Sequence, residues 1–324
     1  AATDPNYPAH EHPTHTSVTR PIFLAVQQPT GRRVLLLRVP ASAGQPVAQR
    51  YPSLPRTRGL GIEFATAPDG STELRVVLTA DERREVFNPL IADVATTAHA
   101  AEGPAEALAA AIERFEHWRH LLQSIRDTGL SEEARRGLFG ELVVLRDHLC
   151  PVLPPQEAVS AWRGPMGTNQ DFELTTCAIE VKTGTGRSPR TIVIASERQL
   201  DDTGTDLLLL AYLELDERRG GSGESLNAVV DSLREASPSA VVRAEFDDLL
   251  IRAGYLSEHR HLYDELRYTV RETHFWHVTG DFPRITEGDL RPGVGGCRYR
   301  ISTVGLDQYG VSAERVASIV KGEA

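Results

Sequence analysis

The spacing of apolar residues divides the chain into a mainly β-rich first part and a second part in which strands and helices alternate. Short alternating runs between glycine and proline turns predict strands over residues 22–26, 33–39, 61–65 and 73–78. The spacing then becomes helical and predicts one helix capped by Thr79 and another over 104–125. We therefore expect residues 18–125 to form a β-rich N-terminal module with connecting helices. Residues 1–17 are rich in proline and histidine, lack periodicity and are predicted to be a disordered tail.

The clearest helix is predicted over residues 131–149. Ser131 is a suitable N-cap, and leucines recur along one face of the segment at positions 138, 142, 145 and 149. Glu141 lies at the edge of this leucine stripe, one turn from Leu138. The helix can therefore present a carboxylate beside its buried face.

The rest of the chain predicts further strands and helices in alternation. Strands are expected over 171–174, 178–182, 191–195, 207–215, 267–278 and 297–304. One helix is expected to begin at Glu197 with Ser196 as its cap, and two more are expected over 225–236 and 240–254. This order predicts an α/β domain over 126–324, with a central mixed sheet flanked by helices and a C-terminal extension.

Lysine is nearly absent, which draws attention to one position. Lys182 and Lys321 are the lysines among 35 lysine and arginine residues, and Lys182 lies in the middle of a predicted strand. Lysine is a compact charge whose pKa can shift on burial, whereas arginine stays charged. One interpretation of this lone lysine is that Lys182 takes part in a reaction. The alternative is that it occurs by chance or lies at a sheet edge with its charge in solvent.

Charge and composition limit the classes of function. The net charge of −10 argues against indiscriminate nucleic-acid binding, although residues 163–198 carry one more basic than acidic side chain. The longest apolar run, 207–213, is too short to span a bilayer, and no N-terminal signal segment is evident. The three widely spaced cysteines argue against disulfides and fit a reducing cytoplasm.

Two acids and the lysine are spaced for a metal site. Glu180 and Lys182 are two residues apart on a strand and share a face, and Asp171 can reach that face if its strand forms a hairpin with theirs. Glu141 could approach from the helix. Two carboxylates and the Val181 carbonyl would offer Mg²⁺ the oxygen ligands it prefers. As a bare string the pattern is weak, because Asp171 could be a turn residue and Glu180 and Lys182 a solvated face.

The order of these elements resembles the PD-(D/E)XK nuclease superfamily. More closely, the chain is similar to a bacterial family described as possible members of it and often found near restriction and phage-defence genes. The stretches that carry the resemblance are 137–142, 162–165, 170–173, 179–183, 196–200 and 281–285. The resemblance implies a restriction-endonuclease-like fold and a Mg²⁺-dependent DNA endonuclease, with Mn²⁺ as a substitute.

The resemblance also implies roles for individual residues. Asp171, Glu180, Glu141 and the carbonyl of Val181 would bind the metal, and Lys182 would position the attacking water. Gln199 matches a polar residue that some members carry on the following helix. Gln170 replaces the usual proline before the first acid, and Glu173 competes with Asp171 for that place.

Several interpretations of substrate and partners stay open. The arginines near the site could contact DNA phosphates or be solvated surface: Arg163, Arg187, Arg190 and Arg198. A restriction or anti-phage system would supply any ATPase or methyltransferase as a separate chain, and cutting of both strands would favour a homodimer. The alternatives are a non-catalytic subunit that binds nucleic acid or a protein partner, and a hydrolase of small phosphates.

Overall fold

The computed structural model describes residues 10–15, 22–57, 59–80, 84–124, 129–186, 191–237 and 239–323. It divides into two compact units, Ala1–Ile125 and Arg126–Ala324, each of which is described by itself. None of the helices in the described part of the chain has the length and apolar character needed to cross a membrane.

The first unit combines one antiparallel sheet with helices. Its strands are β1 (His10–His15), β2 (Ile22–Gln27), β3 (Arg32–Val39), β4 (Arg56–Thr57), β5 (Leu60–Thr66) and β6 (Thr72–Leu78). Its helices are α1 (Ala41–Arg50), α2 (Arg84–Ala100) and α3 (Pro104–Ser124). The strand order is β1-β2-β3-β6-β5-β4, and every neighbouring pair is antiparallel. The β-rich N-terminal module expected from the sequence is therefore confirmed.

A buried ion cluster joins β3 and β6 of this sheet. The carboxylate of Glu73 is fully buried and accepts hydrogen bonds from Arg38 at 2.7 Å and from Arg75 at 2.8 Å. Both oxygens have charged donors, which is what allows a carboxylate to be buried without a large penalty. These charges are therefore structural.

Two expectations for this unit differ from the structure. The predicted disordered tail is wrong for residues 10–15, which form β1 by pairing with β2. Backbone pairing to a neighbouring strand needs no alternation of apolar side chains, so the sequence pattern gave no sign of it. The other residues of the predicted tail lie outside the described part of the chain. Helix α1 was not predicted, because it contains Pro46 and few apolar residues.

The second unit contains the elements around the candidate site. Its strands are β7 (Phe172–Glu173), β8 (Ala178–Gly184), β9 (Thr191–Ile194), β10 (Leu208–Arg219), β11 (Leu266–His277), β12 (Tyr299–Ser302) and β13 (Gly310–Val311). Its α-helices are α4 (Glu132–Val144), α5 (Pro155–Ser160), α6 (Leu226–Ala236), α7 (Ala240–Arg252) and α8 (Ala313–Lys321). Helix α4 continues as a π-helical turn over Leu145–Leu149.

A mixed sheet forms the centre of this unit. Its strand order is β13-β11-β10-β8-β7, in which β8 and β10 run parallel and the other neighbours antiparallel. One face packs against α4, α6, α7 and α8 in a large apolar core. The opposite face is covered by β9, β12 and a 3₁₀ turn at Leu306–Tyr309. The predicted α/β architecture is confirmed.

Alternation along β8 separates its apolar residues from its charged ones. Ile179 and Val181 belong to the core on the helix side, so Glu180 and Lys182 point to the opposite face. Helix α4 approaches this strand closely, because a Cβ at Gly140 would lie 2.3 Å from Cγ2 of Thr183. The close approach brings Glu141, the next residue of α4, to the end of β8.

The helix predicted after Ser196 is wrong, because residues 197–200 form only a hydrogen-bonded turn. The carboxylate of Glu197 is buried and accepts backbone hydrogen bonds from Gly296 at 3.1 Å and Cys297 at 2.7 Å. This long-range contact holds the segment as a turn. A prediction from neighbouring residues does not include it, because Gly296 and Cys297 lie about 100 residues further along the chain.

Candidate active site

Asp171, the first predicted acid, is hydrogen-bonded to β8, the strand that carries Glu180 and Lys182. Asp171 directly precedes β7, which forms an antiparallel pair with β8. Its Oδ2 accepts a hydrogen bond from the backbone amide of Val181 at 2.7 Å. The hairpin therefore brings Asp171 to β8 between Glu180 and Lys182.

Glu180 and Lys182 form a buried ion pair on one face of β8. Lys182 Nζ donates to Glu180 Oε1, and the two side chains are 18% and 1% exposed. Glu180 Oε2 is buried and has no hydrogen-bond partner among the described residues. A buried oxygen that lacks a donor is costly, so this atom is a marked feature of the site.

Glu141 is held by the indole of a buried tryptophan. Trp162 is fully buried, and its Nε1 donates to Glu141 Oε2 at 2.8 Å. Gly164 supplies the space between two of the acids: a Cβ there would lie 2.9 Å from Asp171 Oδ1 and 3.4 Å from Glu141 Oε2. Residues 162–165, the Trp-Arg-Gly-Pro stretch, therefore support both carboxylates.

Gln199 lies in the turn that the structure has in place of the predicted helix. Its Oε1 accepts a hydrogen bond from the backbone amide of Ala195 at 2.8 Å. The turn is anchored by Gln170, whose Nε2 donates to the carbonyls of Arg198 at 3.1 Å and Asp201 at 3.2 Å. The glutamine found in place of the usual proline thus connects the first acid to the turn that carries Gln199.

All of these side chains except Glu180 line a cleft of about 570 Å³ on the second unit or lie against its lining, and Glu180 is buried next to Lys182, which does line it. Predicted residues that line it are Glu141, Asp171, Val181, Lys182 and Gln199. Other lining residues, which the sequence pattern did not single out, include Arg136, Tyr212 and Arg298. They lie far apart in the sequence and reach the cleft only through folding, so no local motif marks them.

Burial raises the pKa of all three carboxyl groups, and repulsion from Asp171 adds to this for Glu141 and Glu180. Burial raises the pKa of Glu141 to about 8, and the charge of Asp171 adds to this effect. Burial also raises the pKa of Asp171, and burial followed by repulsion from Asp171 holds the pKa of Glu180 well above its ordinary range. Burial alone would lower the pKa of Lys182, but attraction to the three carboxylates outweighs it and raises that pKa.

The residues of this cluster fit a divalent cation. Three carboxyl groups surround a single lysine, so the site has more negative than positive charge when all are ionised. The donor set consists of oxygens, as Mg²⁺ prefers, and Glu180 Oε2 is a buried oxygen without a donor. A cation would neutralise the repulsion and provide that oxygen with a partner.

The other predicted residues lie outside the cleft. Glu173 is exposed on β7, with Oε2 at 3.9 Å from Arg163 Nε, and it lines a different depression near α8. Arg198 is exposed, and its Nε lies 2.5 Å from Glu287 Oε1. Arg187 and Arg190 lie outside the described residues. The geometry thus brings Asp171, and not Glu173, to Val181 and Lys182.

Comparison with known proteins gives one family. A family model described as "Putative PD-(D/E)XK family member, (DUF4420)" matches residues 8–303. Neither the curated proteins nor the solved structures contain a significant match. The matched range includes every residue of the cluster and most of both units.

Proposed function

Because the chain belongs to the family described as "Putative PD-(D/E)XK family member", we propose that it is a Mg²⁺-dependent DNA endonuclease that acts in a restriction or anti-phage system. One observation carries the proposal: Asp171, Glu141 and Lys182 line one polar cleft, and the buried Glu180 is paired with Lys182 and interacts with both other acids. Two or three carboxylates beside a lysine suit hydrolysis of a phosphodiester by an activated water.

In this proposal the acids hold the metal. Asp171 and Glu180 are the principal ligands, with the carbonyl of Val181 and the carboxylate of Glu141 as further oxygen donors. Mn²⁺, which accepts the same donors, would substitute for Mg²⁺. When bound, the ion would lower the pKa of a water and stabilise negative charge on the phosphate. Trp162 keeps Glu141 oriented through its indole hydrogen bond.

Lys182 would act on the water and on the developing charge. Its ammonium group lies beside Glu180 at the wall of the cleft, and the surrounding carboxylates keep it charged. A compact charged donor in this position can orient a nucleophilic water. It can also stabilise the negative charge on an oxygen of the phosphorane-like transition state. Gln199, which also lines the cleft, would add a neutral contact.

The cleft itself supports a polymeric, anionic substrate. Arg136 and Arg298 line it beside the carboxylates, and both can contact phosphates next to the scissile one. Arg163 and Arg198 would extend these contacts once DNA displaced their pairings with Glu173 and Glu287. We further propose that the protein acts in the cytoplasm, with any ATPase or methyltransferase on separate chains, and that a homodimer cuts both strands.

A second candidate function is a non-catalytic subunit of a defence complex that binds nucleic acid or a protein partner. The observation in its favour is electrostatic. The net charge is −10, and Arg163 and Arg198 already face acidic partners. In this alternative the cluster would be a relic of a nuclease site.

Cleavage of plasmid and phage DNA tests the proposal. The purified chain is incubated with Mg²⁺, Mn²⁺ or EDTA, with and without the products of neighbouring genes, beside Asp171→Ala and Lys182→Ala. We expect cutting that requires the metal and is lost in both variants. Cutting that persists in either variant would contradict the assignment of the site, and no cutting in any condition would favour the non-catalytic subunit.

A further inference from the structure

A second group of potential metal ligands lies on β10 and β11. Glu214, Glu272 and His274 each place one ligand atom within 4.8 Å of the other two. Glu214 and Glu272 are directly opposite each other in the antiparallel register, and His274 follows two residues after Glu272 on the same face. Central strands hold all three side chains, so their separation is set by the sheet.

The imidazole of His274 is oriented by aromatic stacking. Its ring is nearly parallel to that of Trp276, with the ring centroids 5.4 Å apart and an interplanar angle of 5°. It also stacks on Tyr212, with the ring centroids 6.4 Å apart. Its Nε2 lies 3.2 Å from Glu272 Oε2, is buried, and makes no hydrogen bond to any residue of the described structure. The ring nitrogen therefore lies within ion-pair distance of Glu272 but is not aligned as a hydrogen-bond donor to it.

We propose that Glu214, Glu272 and His274 bind a divalent first-row transition metal ion such as Mn²⁺ or Zn²⁺, at a site separate from that of Asp171 and Glu180. Two carboxylates opposite each other and an imidazole on the same face bring two oxygen donors and one nitrogen donor within reach of a single ion. An imidazole among them selects against Mg²⁺, which prefers oxygen, and for Mn²⁺ or Zn²⁺. Glu214 is buried while the Glu272 side chain is 55% exposed, so an ion can enter from solvent and keep water ligands.

One side chain connects this site to the cleft. Tyr212 is in register with Lys182 on β8 and with His274 on β11, and it lines the cleft. Its hydroxyl lies over Gly184, where a Cβ would approach it to 2.1 Å. An ion at the second site would thus fix the strand pair that supports one wall of the cleft. The site stands on its own ligands and does not depend on the proposed nuclease activity.

Mn²⁺ binding, measured by electron paramagnetic resonance, tests this proposal. The full chain with Asp171→Asn and Glu180→Gln removes the principal ligands of the first site. In that background we expect one tightly bound Mn²⁺ that Zn²⁺ displaces, with a nitrogen hyperfine coupling from an imidazole. Adding His274→Gln should remove the coupling and weaken binding by about 10-fold or more.

The matched control is Glu116→Gln with His120→Gln in the first unit. This exposed carboxylate–imidazole pair has a similar separation of 3.3 Å, and its loss should leave Mn²⁺ binding unchanged. If His274→Gln does not fold, Glu272→Gln is measured in its place, because the Glu272 side chain is largely exposed. Unchanged affinity and coupling in the folded variant would overturn the proposal, whatever the cleavage assays show.

Discussion

The carboxylate of Asp171 accepts a hydrogen bond at 2.7 Å from the backbone amide of Val181, the residue between Glu180 and Lys182. This bond fixes the first acid to the strand that carries the other two members of the site. The bond uses one carboxylate oxygen, Oδ2, while Oδ1 lies toward Gly164. The arrangement accounts for the order of acid, hairpin, acid and lysine in the sequence.

The contact predicts that Asp171, and not Glu173, is the first acid of the site. Asp171→Asn removes a negative ligand and should reduce metal-dependent cleavage by about 100-fold or more, as expected for a group that acts in the transition state. Glu173→Gln is the matched control, because its carboxylate is exposed near Arg163. Initial rates on the same plasmid compare the two variants. Greater loss in Glu173→Gln would reverse the assignment.

Gly164 is predicted to be required by the space between two carboxylates. A methyl group in Gly164→Ala would approach Asp171 Oδ1 to 2.9 Å and should displace it, lowering Mn²⁺ affinity and cleavage by about 10-fold while the fold is kept. Gly186→Ala is a suitable control, since its added carbon meets nothing within 4 Å at the rim of the same cleft. Calorimetric titration with Mn²⁺ measures the difference. Equal affinities in the two variants would show that the space at Gly164 is unimportant.

The raised pKa of Glu141 predicts a pH dependence of stability without metal. The pKa is about 8 in the folded chain and near 4.5 when unfolded, so folding favours the protonated acid. Its contribution is complete below about pH 4.5 and is lost as the pH rises through about 8. In EDTA, the free energy of unfolding should therefore fall less steeply over this range in Glu141→Gln than in the parent. Urea titrations at several pH values measure it, and identical slopes would count against this role of Glu141.

Much of the sheet could be predicted from local patterns. The apolar run before residue 215 marks β10, and alternation around Glu180 and Lys182 marks β8 with its charged pair on one face. The leucine stripe and the cap at Ser131 predicted α4, where Ser131 Oγ does accept the amide of Ala134. Each of these signals comes from residues that are close together in the sequence, so the elements could be predicted without knowledge of the tertiary structure.

The features that were missed depend on contacts between distant residues. Glu197 is held in a turn by the amides of residues 296 and 297, which overrode the local helix signal. Glu214 meets His274 only because β10 and β11 pair, and Arg298 reaches the cleft from near the C-terminal end of the unit. Without knowledge of strand pairing, none of these side chains could be assigned to a site.

The central claim is that Lys182 belongs to a catalytic site and is not an accidental lysine in a chain that otherwise uses arginine. The most direct measurement is the rate of Mg²⁺-dependent plasmid cleavage by Lys182→Arg beside Lys321→Arg, which makes the same change in the exposed last turn of α8. Arginine keeps the charge but is a larger, planar donor that cannot replace the compact ammonium group beside Glu180. We predict that Lys182→Arg loses cleavage while Lys321→Arg cuts like the parent. Cleavage by Lys182→Arg at the parental rate would contradict the account.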